Sequence, residues 1–369
     1  MTFPGRSGRG VRFAVISFGF GGSALGLLLG CGGAGGGSGS NTFVPPPPAV
    51  TTNPNVTAKS VYATNGDTST VDVYAANQSG AVSTTATISV GAHLPPQGIA
   101  ADASGNLYVG VDTTTGGQVS VFASGALTPS RTIILPNPGA PTSNQVSSMT
   151  TDSLGNLYVA TSSTGGTSSV GAIYVYAPGA TGSAAPLRTI AGAATTLFTG
   201  AGTTGISQIA MDSKDNLYVA QGGYGPNGNV VMFPAGANGN VAPTLITSST
   251  YSPTGVTLDA QDNIYISQGE IGTHTVDYLG KYPTAIYVFA KGSVAGATPT
   301  RTITGSSTGM FISLYNIHVD SAGNIFVEQN GQGSSQFLVY SATANGNAPP
   351  SSTLTPNRGL TVDTQFYLK

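Results

Sequence analysis

The sequence predicts an all-β chain folded as a six-bladed β-propeller, and three observations predict it. The first is composition: of 369 residues only 7% are charged and 53 are Gly, with no Trp. Ordinary soluble domains carry about 25% charged residues, and long exposed helices need Glu, Lys and Arg on their solvent faces. A surface of Ser, Thr, Asn and Gly over a 39% hydrophobic chain reads instead as short strands joined by turns. The second is a motif recurring from Gly98, Ser148, Gln208, Gly255 and Asn316, which places Asp102, Asp152, Asp212, Asp259 and Asp320 in one alignment. A shorter copy, GLTVDTQFYLK, runs from Gly359 and adds Asp363. The third is a partner half-unit, Val-x-Val-Phe followed by Arg-Thr-Ile, that begins at Val119, Ile173, Val230, Ile286 and Phe337, with a sixth copy at Val71.

Taken in chain order, the N-terminus comes first. Arg6, Arg9 and Arg12 precede the mostly apolar stretch Phe13 to Leu29, which ends in Leu28, Leu29, Gly30, Cys31. That order is a targeting segment, set aside from the fold. It resembles a bacterial lipoprotein signal peptide over residues 1–30. The resemblance implies cleavage before Cys31, lipidation of its sulfur and, with Gly32 next, an outer-membrane destination. Cys31 is the chain's one cysteine, so an internal disulfide is excluded. Two or three acyl chains anchor stably where one does not. Residues 31–57 follow as a tether, flexible through Gly32 to Ser40 and stiff through Pro45 to Pro48.

Residues 58–369 carry the repeats. Each unit alternates apolar residues over four short runs, with Gly, Asn and Pro between them, and four-stranded units at a period near fifty residues are propeller blades. In Asp-x-x-Gly-Asn the carboxylate accepts backbone N–H groups across a turn while Gly takes positive φ. Asp215 and Asp262 fill the Gly place of their turns and join the structural set. The Tyr and Phe of the second and third strands are assigned to packing between blades. Counting half-units gives six blades, with the ring closed by pairing the two ends of the chain, so that few sheet edges stay free. In that reading Gly359 to Asp363 supplies the inner strand of the closing blade, and Phe366 to Lys369 competes with Ser60 to Thr64 for the second.

The motif Gly-Ile-Ala-x-Asp-x-x-Gly-Asn-Leu-Tyr-Val with its following Val-x-Val-Phe strand resembles the NHL-type repeat over nearly the whole mature chain. That resemblance implies a propeller but no single activity, because relatives of the type include binding scaffolds, lyases and lactonases.

Few residues remain for function. A formal charge of −2 gives no basic patch, so nucleic acid is excluded as a partner. The longest loop between second and third strands, Gln268 to Tyr282, gathers Glu270, His274, Asp277, Tyr278, Lys281 and Tyr282 in a chain holding three His. Alternation of strand direction puts it on the face opposite the Asp turns. Gln97, Tyr315, Asn316 and Arg358, at the starts of inner strands, are expected nearby, and these residues with Glu270, His274, Asp277, Tyr278 and Tyr282 form the candidate ligand site. His318 stands among Ala100, Thr150, Ala210, Thr257 and Thr361 in equivalent strands and is read as filling a gap. Glu270, His274 and Asp277 match no zinc spacing, and no nucleophile elbow or phosphate loop occurs. The reading assigns no catalytic residue, metal or cofactor. It expects a monomeric, membrane-anchored scaffold on the bacterial outer membrane binding a protein, peptide or glycan. The alternative is a metal-dependent lyase or lactonase acting on the same face.

Overall fold

The computed structural model describes residues 51–91, 96–114, 116–136, 143–164, 170–197, 203–223, 228–247, 253–269, 284–311, 314–331, 334–357 and 366–369. They form six four-stranded antiparallel blades. Blade 1 comprises Pro96–Ala101, Leu107–Thr113, Gly116–Phe122 and Arg131–Ile134, from the inner to the outer strand. Blades 2 to 5 repeat this order, with inner strands Ser143–Thr151, Thr203–Met211, Pro253–Leu258 and Leu314–Val319. Blade 6 joins both ends of the chain: Phe366–Leu368 is innermost, followed by Ser60–Asn65, Thr70–Ala75 and Ala86–Ser89.

The closing strand corrects the sequence register. Val61 pairs with Leu368, Tyr62 with Tyr367 and Ala63 with Phe366. In blade 1, Leu107 pairs with Ala101 and Tyr108 with Ala100. Tyr367 therefore takes the place assigned to Thr361, and Lys369 the place assigned to Asp363. The expectation that Gly359 to Asp363 forms the inner strand fails because Phe366 fits the slot better. Its ring is 1% exposed, 5.0 Å from the Phe337 ring and 4.6 Å from that of His318. Residues 359–363 themselves lie outside the described residues. Where the other blades have a covalent turn, Lys369 meets the segment that opens the second strand: its carbonyl accepts the N–H of Lys59 and of Ser60, and its N–H donates to the Ser60 carbonyl.

The Asp turns form as predicted. Asp102 Oδ1 accepts the N–H groups of Ser104 and Asn106, and Oδ2 accepts from the Asn106 amide and the Tyr108 hydroxyl. The two backbone N–H bonds and the Asn amide bond recur at Asp152, Asp212, Asp259 and Asp320, and the Tyr hydroxyl bond recurs at Asp259, from Tyr265. Burial is the largest single influence on the carboxyl groups of Asp102 and Asp320 and pulls their pKa up, but these donors, with the Thr57 N–H at Asp320, together outweigh it and hold both below the usual carboxylate range. Asp215 and Asp262, at φ of 62° and 64°, also reach back to the preceding blade. Asp215 binds the N–H and hydroxyl of Ser153, and Asp262 those of Ser213.

The core is a ring of clusters, one at each blade junction. Phe233 of blade 3, for example, packs with Ile173 and Val175 of blade 2, and Phe289 of blade 4 with Ala220 and Val230 of blade 3. The outer rim is stitched as well. In blade 2 the loop between the third and outer strands brings Gly182 alongside Ile133 of blade 1 as a one-residue parallel strand. Its N–H donates to Thr132 and its carbonyl accepts from Ile134. Gly239 does the same on Ile190, and Gly346 on Ile303. Gln78–Val82 extends the device into a full parallel strand against Ser352–Pro356 of blade 5. The Asn residues flanking Gly239 and Gly346 cap neighbouring N–H groups, those of Thr189, Ala194, Thr302 and Ser307. Asn-Gly-Asn reads locally as a plain turn, but these two runs tie blade 3 to blade 2 and blade 5 to blade 4.

Candidate functional site

Two regions qualify. The first is the face opposite the Asp turns; of the set predicted there, Glu270, His274, Asp277, Tyr278, Tyr282 and Arg358 lie outside the described residues, and Cys31 does as well. Three members of the predicted set are described. Tyr315 is half-buried and Asn316 buried, adjacent on the inner strand of blade 5. Gln97 is half-buried on blade 1, two blades round the ring. The Tyr315 carbonyl accepts a 2.7 Å bond from Ser267 Oγ, which fixes blade 4 to blade 5 at this level. Gln268, the last residue of the second strand of blade 4, and Glu328, within the second strand Ile325–Gly331 of blade 5, are both buried.

The second region is a central cavity of about 240 Å³ at the Asp-turn end of the channel, walled by one inner strand from each blade. Inner strands are sheet edges, and so the wall presents backbone groups together with small side chains. Thr150, Thr257 and Tyr367 line it between the apolar surfaces of Met149, Ile209 and Phe366.

Gln208 closes the cavity on its inner side. This buried side chain leaves blade 3, passes over blade 4 and bonds into blade 5. Its Oε1 accepts the N–H groups of Ile317 at 3.0 Å and Val256 at 3.2 Å, and its Nε2 donates to the Ile317 carbonyl at 2.9 Å. The crossing requires Gly255 beneath it, where a Cβ would stand 2.5 Å from Gln208 Oε1 and 2.9 Å from the Tyr315 carbonyl. Gly255 serves close approach, not a turn.

His318 sits beside this brace. Gln208 Nε2 is 3.4 Å from His318 Nε2, so the amide donates and the imidazole accepts. A further hydrogen bond joins the ring to the Phe366 backbone. One flank faces the cavity, which leaves the residue half-buried by surface area, yet protein encloses it on every other side. Burial pushes its pKa down to about 4, outweighing the bond to Phe366. His318 is thus a neutral ring with its polar atoms engaged across blades 3, 5 and 6. It fills a gap as expected, and it also braces the closure. The legible sign in the sequence is a large polar residue at positions otherwise small; Gln208, with Asn316, carries the same sign among Gly98, Ser148 and Gly255.

Among the described residues no group of three or more His, Cys, Asp or Glu is placed to hold a metal ion. The cavity is shaped for water or a small uncharged polar molecule, because its walls offer hydroxyl groups and backbone edges and no free charge.

No family model and no curated protein matches the sequence. Solved structures do match. A protein of unknown function from Bacteroides caccae aligns over 81% of this chain and 94% of its own, at 11% identity and a TM-score of 0.54. The PQQ-bound aldose sugar dehydrogenase of Streptomyces coelicolor covers 74% of this chain and 80% of its own, at 14% identity and a TM-score of 0.44. A luciferin-regenerating enzyme covers 82% of this chain and 99% of its own, at 12% identity and a TM-score of 0.45. Identities this low speak for the fold alone.

Proposed function

We propose that this protein is a lipid-anchored β-propeller of the bacterial envelope, built of NHL-like repeats, that acts as a non-enzymatic scaffold for a protein, peptide or glycan. One observation carries the reading: the described turn aspartates are engaged in holding the frame. Asp102, Asp152, Asp212, Asp259 and Asp320 accept the donors of their own turns, and Asp215 and Asp262 those of a neighbouring blade. Acid–base or metal chemistry needs carboxylates left available to substrate. What these residues leave for recognition is a surface of Ser, Thr and Asn hydrogen-bonding groups on a rigid ring.

Two measurements test this. Cys31→Ser is expected to release the chain from the membrane fraction, and continued membrane association would overturn lipidation as the anchor. Metal analysis of the purified protein is expected to find no stoichiometric metal. Stoichiometric metal that disappears in both Glu270→Gln and His274→Ala would replace the scaffold with a metal-dependent lyase or lactonase.

A further inference from the structure

Five of the six blade junctions are stitched at the rim, and among the described residues one is not. The loop of blade 2 binds the outer strand of blade 1, that of blade 3 binds blade 2, that of blade 5 binds blade 4, and that of blade 6 binds blade 5. Between blades 3 and 4 a single bond from the Ala295 N–H to the Leu245 carbonyl does the same work. At the remaining junction the loop of blade 1 should reach the outer strand of blade 6, Ala86–Ser89, and it is too short. It has eight residues, Ala123 to Ser130, where blade 2 has eleven, Ala177 to Leu187. Ala126 is in register with Ala180, Ala237 and Ala344. The three residues that follow those alanines, Thr181-Gly182-Ser183, Asn238-Gly239-Asn240 and Asn345-Gly346-Asn347, are the stitch, and blade 1 has no counterpart to them.

The consequences at Ala86–Ser89 are specific. Ile88 pairs with Val71 inside the sheet as Ile133 pairs with Val119. That register turns the Thr87 carbonyl and the Ser89 N–H outward, the counterparts of the Thr132 carbonyl and Ile134 N–H that hold Gly182. Among the described residues no strand pairs with that edge. The arginine that secures other junctions is missing too. Arg131 and Arg301 reach carbonyls of the next blade's loop, at Ala180 and at Ala342 and Ala344, but the matching residue in blade 6 is Ala86. Below the edge lies a cavity of about 140 Å³ whose wall includes Ala86, Ile88, Leu107 and Leu127, and Leu127 is 59% exposed.

We infer that this seam is a strand-addition site for a partner protein, which supplies an extended Ala-Asn-Gly-Asn-like segment parallel to Ala86–Ser89 and so completes the sixth stitch in trans. The intramolecular stitches define the chemistry. A glycine sits opposite Ile88, its N–H on the Thr87 carbonyl and its carbonyl on the Ser89 N–H. Small polar residues flank it, and an apolar residue beyond them enters the cavity. An unpaired strand edge invites such a segment, and its main-chain bonds supply affinity while the cavity supplies selectivity. The inference rests on the seam alone and needs neither the lipid anchor nor the 268–282 face.

The probe is the chain's own stitch, a labelled peptide of residues 236–243, titrated onto the full-length protein and followed by fluorescence anisotropy. It is expected to bind saturably. Ser89→Pro removes the outward N–H at an edge position where proline is tolerated, and is expected to weaken binding by about tenfold. Inserting Asn-Gly-Asn after Ala126 gives blade 1 a stitch of its own and is expected to abolish binding while raising the melting temperature. Because that variant is expected to gain stability, loss of binding in it is not loss of fold. No saturable binding to the wild type would overturn the inference, as would binding that survives the insertion. Sedimentation at the same concentrations gives the remaining arm: self-association abolished by the insertion would make a second copy the occupant and overturn the assignment to a different partner.

Discussion

Blades 1 to 5 and blade 6 present the same four strands, but they are held differently. In a continuous blade the inner and second strands are joined by an Asp turn whose carboxylate takes up to four donors, as at Asp102. In blade 6 the same corner is an encounter of two segments far apart in the chain, held by three backbone hydrogen bonds between Lys369 and Lys59 or Ser60. Its rim toward blade 1 is the one that carries no stitch among the described residues. Side chains compensate at the axis, where Phe366 packs on Phe337 and His318, and Gln208 ties blade 3 to blade 5. A closed ring therefore needs every blade to be formed, though it does not need every blade to be continuous, and the cost of the break is met at the centre.

The sharpest way to break this comparison is to remove the closing strand. Deleting Phe366–Lys369 takes away a buried aromatic worth about 3–5 kcal/mol on its own and opens the inner edge of Ser60–Asn65. Denaturant unfolding is expected to show a large drop in midpoint with loss of the single transition. A truncated chain that unfolds like the full one would show that another segment fills the slot.

Next come the two residues of the axial brace. Gln208→Ala leaves the N–H groups of Val256 and Ile317 and the carbonyl of Ile317 without this partner, at a cost of about 2–4 kcal/mol. Gly255→Ala forces a methyl into the path of Gln208, at a cost of about 1–3 kcal/mol. Their double mutant is expected to lose less than the sum, because removing the amide clears part of the space the methyl needs. Strict additivity in a thermal or chemical unfolding cycle would refute the crossing geometry.

The smallest effects separate the regions by pH. Folding lowers the pKa of His318 from 6.5 to about 4, so the unfolded chain binds the extra proton between those values and stability falls as pH drops through that window. His318→Thr, the residue of blades 2 and 4 at this place, is expected to flatten that slope. Asp262 behaves oppositely in origin, although stability falls in the same direction. Burial raises its pKa, but the Lys291 ammonium at 2.6 Å and the Ser213 donors outweigh that and hold it near 2. Its contribution is present above about pH 4 and is lost as pH falls toward 2, and Asp262→Asn is expected to remove that second decline. Unfolding measured from pH 7 to pH 2 checks both, and a slope unchanged in either variant would refute the corresponding assignment.

Much of this was legible in the sequence because repetition makes local rules visible. Asp-x-x-Gly-Asn recurs, and its meaning is contained within five residues: one carboxylate, two backbone N–H groups and a place for positive φ. The face carrying Gln97, Tyr315 and Asn316 followed from strand alternation alone. The closing strand was misplaced by six residues because GLTVD looks like the repeat, while TQFYLK carries the ring that the slot selects. Gln208 was passed over because its partners lie 48 and 109 residues away.

The sequence by itself determined the all-β class, the six units, the Asp turns and their positive-φ partners, since each depends on contacts within a few residues of chain. Only the tertiary structure decided which residues close the ring, that a glutamine crosses the axis over a glycine, and that five Asn-Gly or Gly-bearing loops stitch the rim where a sixth falls short. Those features arise between blades, where the chain separation is a whole repeat or more. Their geometry is set by packing between blades, so that even the repeated Gly-bearing loops show their partners only once the ring is formed.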